Sequence, residues 1–351
     1  MKEVAIKDIC QKDSSALKQK ELFPEGKYPV FGASGIAGYL NTFNQEKEYI
    51  GIVKDGSGIG RVAFYPAESS LIGTMQYILP KEDYDIRYIG YCLQSLDLSK
   101  YKQGAAIPHI YFRDYGERLV KVTDNKDEQR TIVTRLDAAF SHIDALKANA
   151  EKQLNEARKL FQAELTECMK PKEGWEEKTL PKLSENLDSI RKPVTKKDRT
   201  EGIYPYYGAS GIVDYVDNYL FDEDLLCISE DGANLLMRTY PIAFPISGKA
   251  WVNNHAHVLR FKCMATQRYV EYYFAGLKLD EYITGAAQPK LTQKALNSII
   301  INIPRSLVEQ QSIVSHLDSL SSHIRKLEEL QQKTIAECDA LKQAMLKEVF
   351  E

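Results

Sequence analysis

The densest group of chemically capable side chains is the run KAWVNNHAH, from Lys249 to His257. An asparagine amide donates and accepts at once, which is the pairing an adenine edge demands. Lys249, Asn253, Asn254 and His255 are therefore candidate contacts for a polar ligand. His255 and His257 stand at i, i+2, which on a strand puts both rings on one face, as a metal site would need. No third ligand of Cys or carboxylate type follows at a recognisable spacing, so no metal centre is expected. A polar network bracing a hairpin is the competing reading of the same run.

Two Gly-rich turns offer another chemistry. Backbone N–H groups bared by glycine can cradle an anion, and a guanidinium forks onto a guanine edge or a phosphate. Lys54, Asp55, Ser57 and Arg61 flank the first turn; Asp231, Asn234 and Arg238 flank the second. A plain hairpin turn uses Asp and Gly for its own geometry, and that is the reading expected for Asp55 and Asp231. Two further loops, YKQGAAIPHI and YITGAAQPKL, present His109 and Lys290 directly after a proline, with Tyr111 and Arg113 following in the first copy. Helix capping around Thr292 is the alternative there. The basic loop RKPVTKK carries Arg191, Lys192, Lys196 and Lys197, which would attract a polyanion or merely be solvated. Ser34 and Ser210, one in each GASG turn, complete the candidates. There is no GxGxxG, no Walker lysine loop, no NPPY-like loop and no nuclease carboxylate–lysine cluster, so no catalytic residue and no bound cofactor is assigned to the chain.

The scaffold that must position these residues is written twice. YPVFGASGIAGY (Tyr28 to Tyr39) returns as YPYYGASGIVDY (Tyr204 to Tyr215), 176 positions on. The glycines kept in both copies point to backbone needing positive φ or close approach. Asp55-Gly56 matches Asp231-Gly232 at the same separation, but the GAAxP loops recur 181 positions apart, so the second copy has gained five residues in between. Each copy reads as a mixed α/β globule. EYIGIVKDGSGIGRVAFYP and LLCISEDGANLLMRTYPIAF are hairpins, followed by strand-like runs at 75–79 and 257–261. Val270, Tyr273, Phe274 and Leu277 then give a helical face, and SIIINIP closes the second globule.

After each globule comes a long periodic segment, opening EQRTIVTRLD from Glu128 and EQQSIVSHLD from Glu309. The apolar seam steps through Ile132, Leu136, Ala139, Ile143, Leu146, Ala150 and Leu154 in the first, and Ile313, Leu317, Leu320, Ile324, Leu327, Gln331 and Ile335 in the second. Both seams take two consecutive steps of four at the same place, a stutter that would locally unwind a coiled coil. The shared break predicts that the helices, each roughly 60 Å long, pair with one another. The expected fold is α+β: two globules at opposite ends of a long antiparallel two-helix coiled coil, related by an internal pseudo-twofold repeat. Expected boundaries are 1–126 and 171–308 for the globules, and 127–170 and 309–351 for the helices.

The chain has 351 residues, enough for two or three domains, with 44% hydrophobic and 27% charged residues and net charge −3. Its six cysteines form no CxxC pair and read as thiols of a reducing compartment. The start, MKEVAIKDIC, has no apolar signal core, and no apolar run approaches membrane-spanning length.

Together these motifs resemble the specificity subunit of type I restriction–modification systems. The resemblance rests on YPVFGASG and YPYYGASG, IVKDGSGIGRVAF, ISEDGANLLMRTYPIAFPISGKAWVNNHAHVLRF, GAAIPHIYF and GAAQPKL, and the two helix openings. It covers essentially the whole chain. About 27 residues precede YPVFG, fewer than in many members, so an N-terminal helical arm is expected to be short or absent. The resemblance implies a cytoplasmic, non-catalytic subunit of a bacterial or archaeal phage-defence system. Each target recognition domain would read half of a bipartite site in double-stranded DNA, and the coiled coil would set the gap. Two modification subunits would methylate adenine with S-adenosylmethionine, and restriction subunits would use ATP and Mg. It also favours DNA contact for the candidate residues above. A relative serving a partner with fused methylation and cleavage is the nearest alternative. A coiled-coil scaffold with two ligand-binding heads is a different class, and it has no account of near-identical turns in both heads. A self-contained methyltransferase is disfavoured by the missing cofactor loop.

Overall fold

The computed structural model describes residues 1–104, 108–285 and 288–351. The alanines at the centre of both GAAxP loops lie outside the described residues. Two compact units result: Met1–Lys152 with Gln331–Glu351, and Gln153–Leu330. No described helix is long and apolar enough to cross a membrane.

In the first unit a four-stranded antiparallel sheet runs in the order Cys10–Ser14, Met75–Pro80, Tyr49–Val53, Val62–Tyr65. All five residues of Tyr49–Val53 are buried, because this central strand is covered on both faces. A smaller sheet orders Gly35–Leu40, Tyr28–Gly32 and Ser70–Leu71, and Lys2–Ala5 pairs with Leu119–Val122. Helix Ile86–Ser95 starts at Asp85, whose carboxylate accepts from the backbone N–H of Arg87 and Tyr88 at 2.8 and 3.0 Å.

The second unit repeats this plan. Its main sheet orders Ser184–Asn186, Ala256–Phe261, Leu225–Ser229 and Ala243–Ile246. Ile52 faces Gln76 across the first sheet, and Ile228 faces His257 across the second, so the duplication holds residue by residue. Trp175–Thr179 pairs with Ile300–Pro304 as Lys2–Ala5 does with Leu119–Val122. The N-terminal residues therefore belong to the repeat, although only the sizes of Ile6 and Leu180, both fully buried, betray it. Helix Met264–Gly276 buries Val270 and Phe274 as its spacing predicts, and adds Tyr269 and Tyr272.

The long helices span Lys126–Cys168 and Leu307–Phe350. In the first unit they run antiparallel, with Asp144 meeting Lys342 at 2.5 Å and Lys147 meeting Asp339 at 2.8 Å. In the second unit the segments are again antiparallel, Arg158 meeting Glu328 at 2.7 Å and Glu164 meeting His316 at 2.8 Å. Each unit fastens its helices in the same way. The Gln129 side chain is fully buried and bonds the carbonyls of Asp83 and Thr123 and the N–H of Asp85; Gln310 bonds the carbonyl of Pro304 and the hydroxyl of Thr266. Asp137 takes Arg87 and Tyr91, and Asp318 takes Arg268 and Tyr272. The repeated EQ and LD of the helix openings are these fasteners.

One seam expectation fails. Leu146 is 52% exposed, and the seam passes through Lys147, which is half-buried. Buried or half-buried positions step 136, 140, 143, 147, 150, 154, 157 in regular threes and fours, and on the second helix 317, 321, 324, 328, 331, 335, 338. The first helix therefore has no stutter there, whereas on the second Leu327, Gln331 and Ile335 are half-buried alongside Glu328, so the expected steps of four are not contradicted. Lysine can occupy a seam by laying its methylenes along apolar surface while its ammonium reaches Asp339, so a count of apolar residues alone selects the wrong neighbour. Leu136 and Ile143 are buried; Ile132, Leu154, Ile313, Leu320, Ile324, Leu327 and Ile335 are half-buried; Leu317 is fully buried.

Candidate nucleic-acid interface

In the first unit three turns converge. Strand Tyr49–Val53 runs into the Gly-rich turn, where Gly56, Gly58 and Gly60 have φ of 81°, 82° and 84°, which excludes most side chains. The loop after the GAAxP motif folds onto it: Gly56 N donates to Pro108 O at 3.3 Å and Ile110 N to Lys54 O at 3.0 Å. Asp55 bonds His109 Nδ1. The His109 and Tyr111 rings lie 4.1 Å apart, and the Arg113 guanidinium lies 4.5 Å from the centre of the Tyr111 ring. Arg61 reaches the carbonyl of Ala33 and ties the Gly-rich turn to the GASG turn. Tyr111, Arg113, Ser34, Ser57 and Arg61 are exposed and Lys54 half-buried.

The second unit builds the same junction with different chemistry. Gly232 N donates to Pro289 O at 3.0 Å and Leu291 N to Glu230 O at 2.7 Å. Asp231 takes His255 Nδ1 at 2.8 Å, and Lys290 pairs with Glu230 at 3.1 Å. Beneath lies a buried ionic network. Arg191 bonds Glu230 at 2.6 Å, the carbonyl of Ala256 at 2.7 Å, and Asp188 at 3.2 Å. His257, 1% exposed, points Nε2 at the carbonyl of Leu291 (2.8 Å) and Nδ1 at Asp188 (2.6 Å). Burial raises the carboxyls of Asp188 and Glu230, but their hydrogen-bond and charged partners outweigh it. His257 first, then the Val258 N–H and Arg191, hold Asp188 below its usual range; Arg191, His257 and Lys290 do so for Glu230. Asp188, Glu230 and His257 together resemble a metal-ligand set, yet Arg191 and Lys290 already neutralise them.

The five extra residues of the second copy sit inside its Gly-rich turn. The bond from Val53 N to Arg61 O closes the short version, and that from Ser229 N to Ile242 O the long one. The added length forms a helical turn, Asn234–Met237. Both amide atoms of Asn234 bracket the backbone of Tyr240, at 2.9 and 3.1 Å. Arg238, at φ 50°, sends its guanidinium to the carbonyls of Phe274 and Leu277 at the end of helix Met264–Gly276. Leu236, Met237 and Tyr240 are left facing solvent.

Several expectations need correction. Arg191 is no surface cation of the basic loop but the centre of the buried network. Arg238 is spent on helix-end carbonyls. Asn253 is buried, its side-chain oxygen accepting from His255 N at 2.8 Å. His255 lies in the turn before strand Ala256–Phe261, so it shares no face with His257. Asp55 and Asp231 reach across to histidines rather than serving only their own turns. Asn234 braces its loop. Thr292 does cap the following helix, accepting from Ala295 N at 3.2 Å. Lys192, Lys196, Lys197, Ser210, Asn254 and Lys249 remain exposed, with Lys249 4.8 Å from the ring centre of Tyr219; Lys290 is half exposed. Sequence reasoning missed Asp188, which carries no motif, Glu230, which stands inside ISEDGAN but was not singled out, and the apolar tip Leu236, Met237 and Tyr240, whose one sign was an apolar run inside a turn. What these loops offer is cations, amides and aromatic faces held on braced turns, the equipment of a recognition surface.

The chain matches the family described as "Type I restriction modification DNA specificity domain" twice, over residues 1–156 and 172–337. It is 36% identical over 145 residues to a Haemophilus influenzae protein named as a type I restriction enzyme specificity subunit, S.HindORF215P; the match covers 41% of this chain and 37% of that protein's length. Among solved structures it superposes with TM-score 0.73 on a chain from work on the structural basis of complex assembly and conformational transition of the type I R-M system, at 15% identity over 98% of this chain and 96% of that one. The HsdS subunit from Thermoanaerobacter tengcongensis gives TM-score 0.52 at 16% identity, over 98% and 95%. Both likenesses concern the fold. With two domain matches spanning most of its length, the chain belongs to the type I restriction–modification specificity subunit family.

Proposed function

We propose that this chain is the non-catalytic DNA-reading subunit of a type I system, with residues 1–126 and 171–308 each reading one half of a bipartite site. The observation that carries the reading is the repeated loop junction. One backbone plan is built twice, and its side chains differ: Lys54, His109 and Tyr111 in one copy, Glu230, Lys290 and Thr292 in the other. A shared frame with divergent tips fits two half-sites of different sequence. The helical segments 127–170 and 309–351 set the unspecified gap and dock two modification subunits, which bring S-adenosylmethionine. Restriction subunits bring ATP and Mg. The complex acts in the cytoplasm. In the first head, Arg113 and Tyr111 form a cation-on-aromatic stack suited to a phosphate or a base face.

The test is to exchange residues 28–122 for the same region of a relative and sequence the methylome of cells expressing the hybrid with its modification partner. One half of the methylated site should change and the other stay. If both halves change together, the heads do not read independently.

A further inference from the structure

Near its end the first long helix carries Glu164 and Cys168, one turn apart, and the opening of the second long helix brings His316 against them. Glu164 Oε1 lies 2.8 Å from His316 Nε2 and 3.8 Å from Cys168 Sγ. One ligand atom from each of the three lies within 4.8 Å of the others. A tetrahedral divalent ion with bonds of about 2.0–2.3 Å to O, N and S holds its ligand atoms about 3–4 Å apart, so small side-chain rotations would close the set.

We propose that Glu164, Cys168 and His316 bind a zinc-class divalent cation that staples the two helical segments of the second unit together, with water as the fourth ligand. The backbone beneath is firm: Leu165 and Leu317, neighbours of the ligands, are fully buried in that unit's core. The site opens to solvent, since His316 and Glu164 are half exposed and Cys168 is partly so. The duplication supplies an internal comparison. The equivalent positions 181 away, at the corresponding turns with the two long helices exchanged, hold Met345, Val349 and Arg135. The scaffold therefore folds without ligating residues there, and all three ligating types occur together in one copy only. Oxygen, nitrogen and thiolate donors at one point select a borderline metal such as zinc over magnesium or calcium. Burial and the nearby Glu164 carboxylate raise the Cys168 thiol, so the metal-free site holds S–H. On binding, the S–H bond breaks, a sulfur–metal bond forms, and the proton leaves to solvent. A plain Glu164–His316 ion pair is the competing account.

Cobalt(II) separates the two. The reduced full chain is stripped with chelator, titrated with Co(II), and then with Zn(II). The expected result is one equivalent of tetrahedral cobalt with a thiolate-to-metal absorption band, bleached by zinc. The band should vanish in Cys168→Ser and persist in Cys263→Ser, the other partly exposed thiol. Glu164→Gln should weaken zinc binding by about tenfold or more, and zinc should raise the melting temperature of the native chain but not of His316→Ala. A native chain without the band overturns the site whatever the variants do, as does a band that survives Cys168→Ser.

Discussion

Arg191 was a candidate for contact with a polyanion and is instead the hub of a buried network, and Arg191→Met tests that reversal. The guanidinium side chain is 11% exposed and faces Glu230, Asp188 and the carbonyl of Ala256. Methionine keeps the length and the packing but removes the charge, leaving two buried carboxylates with His257 and Lys290 as their remaining side-chain partners. Removing one partner from a buried ion pair costs about 3–5 kcal/mol. With a urea slope of about 2 kcal/mol per M for a unit of this size, the unfolding midpoint should fall by about 1.5–2.5 M. Both tryptophans, Trp175 and Trp251, lie in the second unit, so their fluorescence reports that unit selectively. The acid limb provides a second reading. Asp188 and Glu230 sit below their usual values in the folded state. Their contribution is therefore complete above the unfolded carboxylate range, about 3.9–4.3, and is lost as pH falls through the lower folded values. In Arg191→Met that acid-side loss should shrink, because the cation that held Glu230 down is gone. A fluorescence midpoint within about 0.5 M of the native one, together with weaker DNA binding and a shallower salt dependence, would refute the structural role and restore the contact role.

Phe350→Ala should destabilise the first unit by about 3–5 kcal/mol, since this ring is buried in that unit's core 5.2 Å from Tyr88; circular dichroism should register the loss while the tryptophan midpoint stays put. Leu146→Gln should change stability by less than about 0.5 kcal/mol because Leu146 is exposed, whereas Ile143→Gln, buried three residues away, should cost several times more. Equal costs in thermal unfolding would return the seam to Leu146.

What the sequence displayed and what it hid divide along a physical line. The duplication was legible because residues that fasten one element to another are constrained in type as well as size. Gln129 and Gln310 satisfy buried backbone groups, Asp137 and Asp318 each accept from an arginine and a tyrosine, and Gly35 with Gly211 and Gly56 with Gly232 hold positive φ, so the letters repeat. Where burial demands size alone, the letters drift, and the first strands of the two copies escaped notice. The ionic network escaped for a different reason: Asp188 with Arg191, Glu230 and His257 come from three segments spread over some seventy positions, and only the folded sheet assembles them. The first copy has Lys54 where the second has Glu230, and Gln76 where the second has His257. That contrast locates the divergence. The sheet register and the bonds closing the loops stay the same in both units, while the side chain at the base of the Gly-rich turn changes from a lysine to a glutamate neutralised by Arg191 and Lys290. One frame with different side chains at its junction is what the proposed reading of two different half-sites requires.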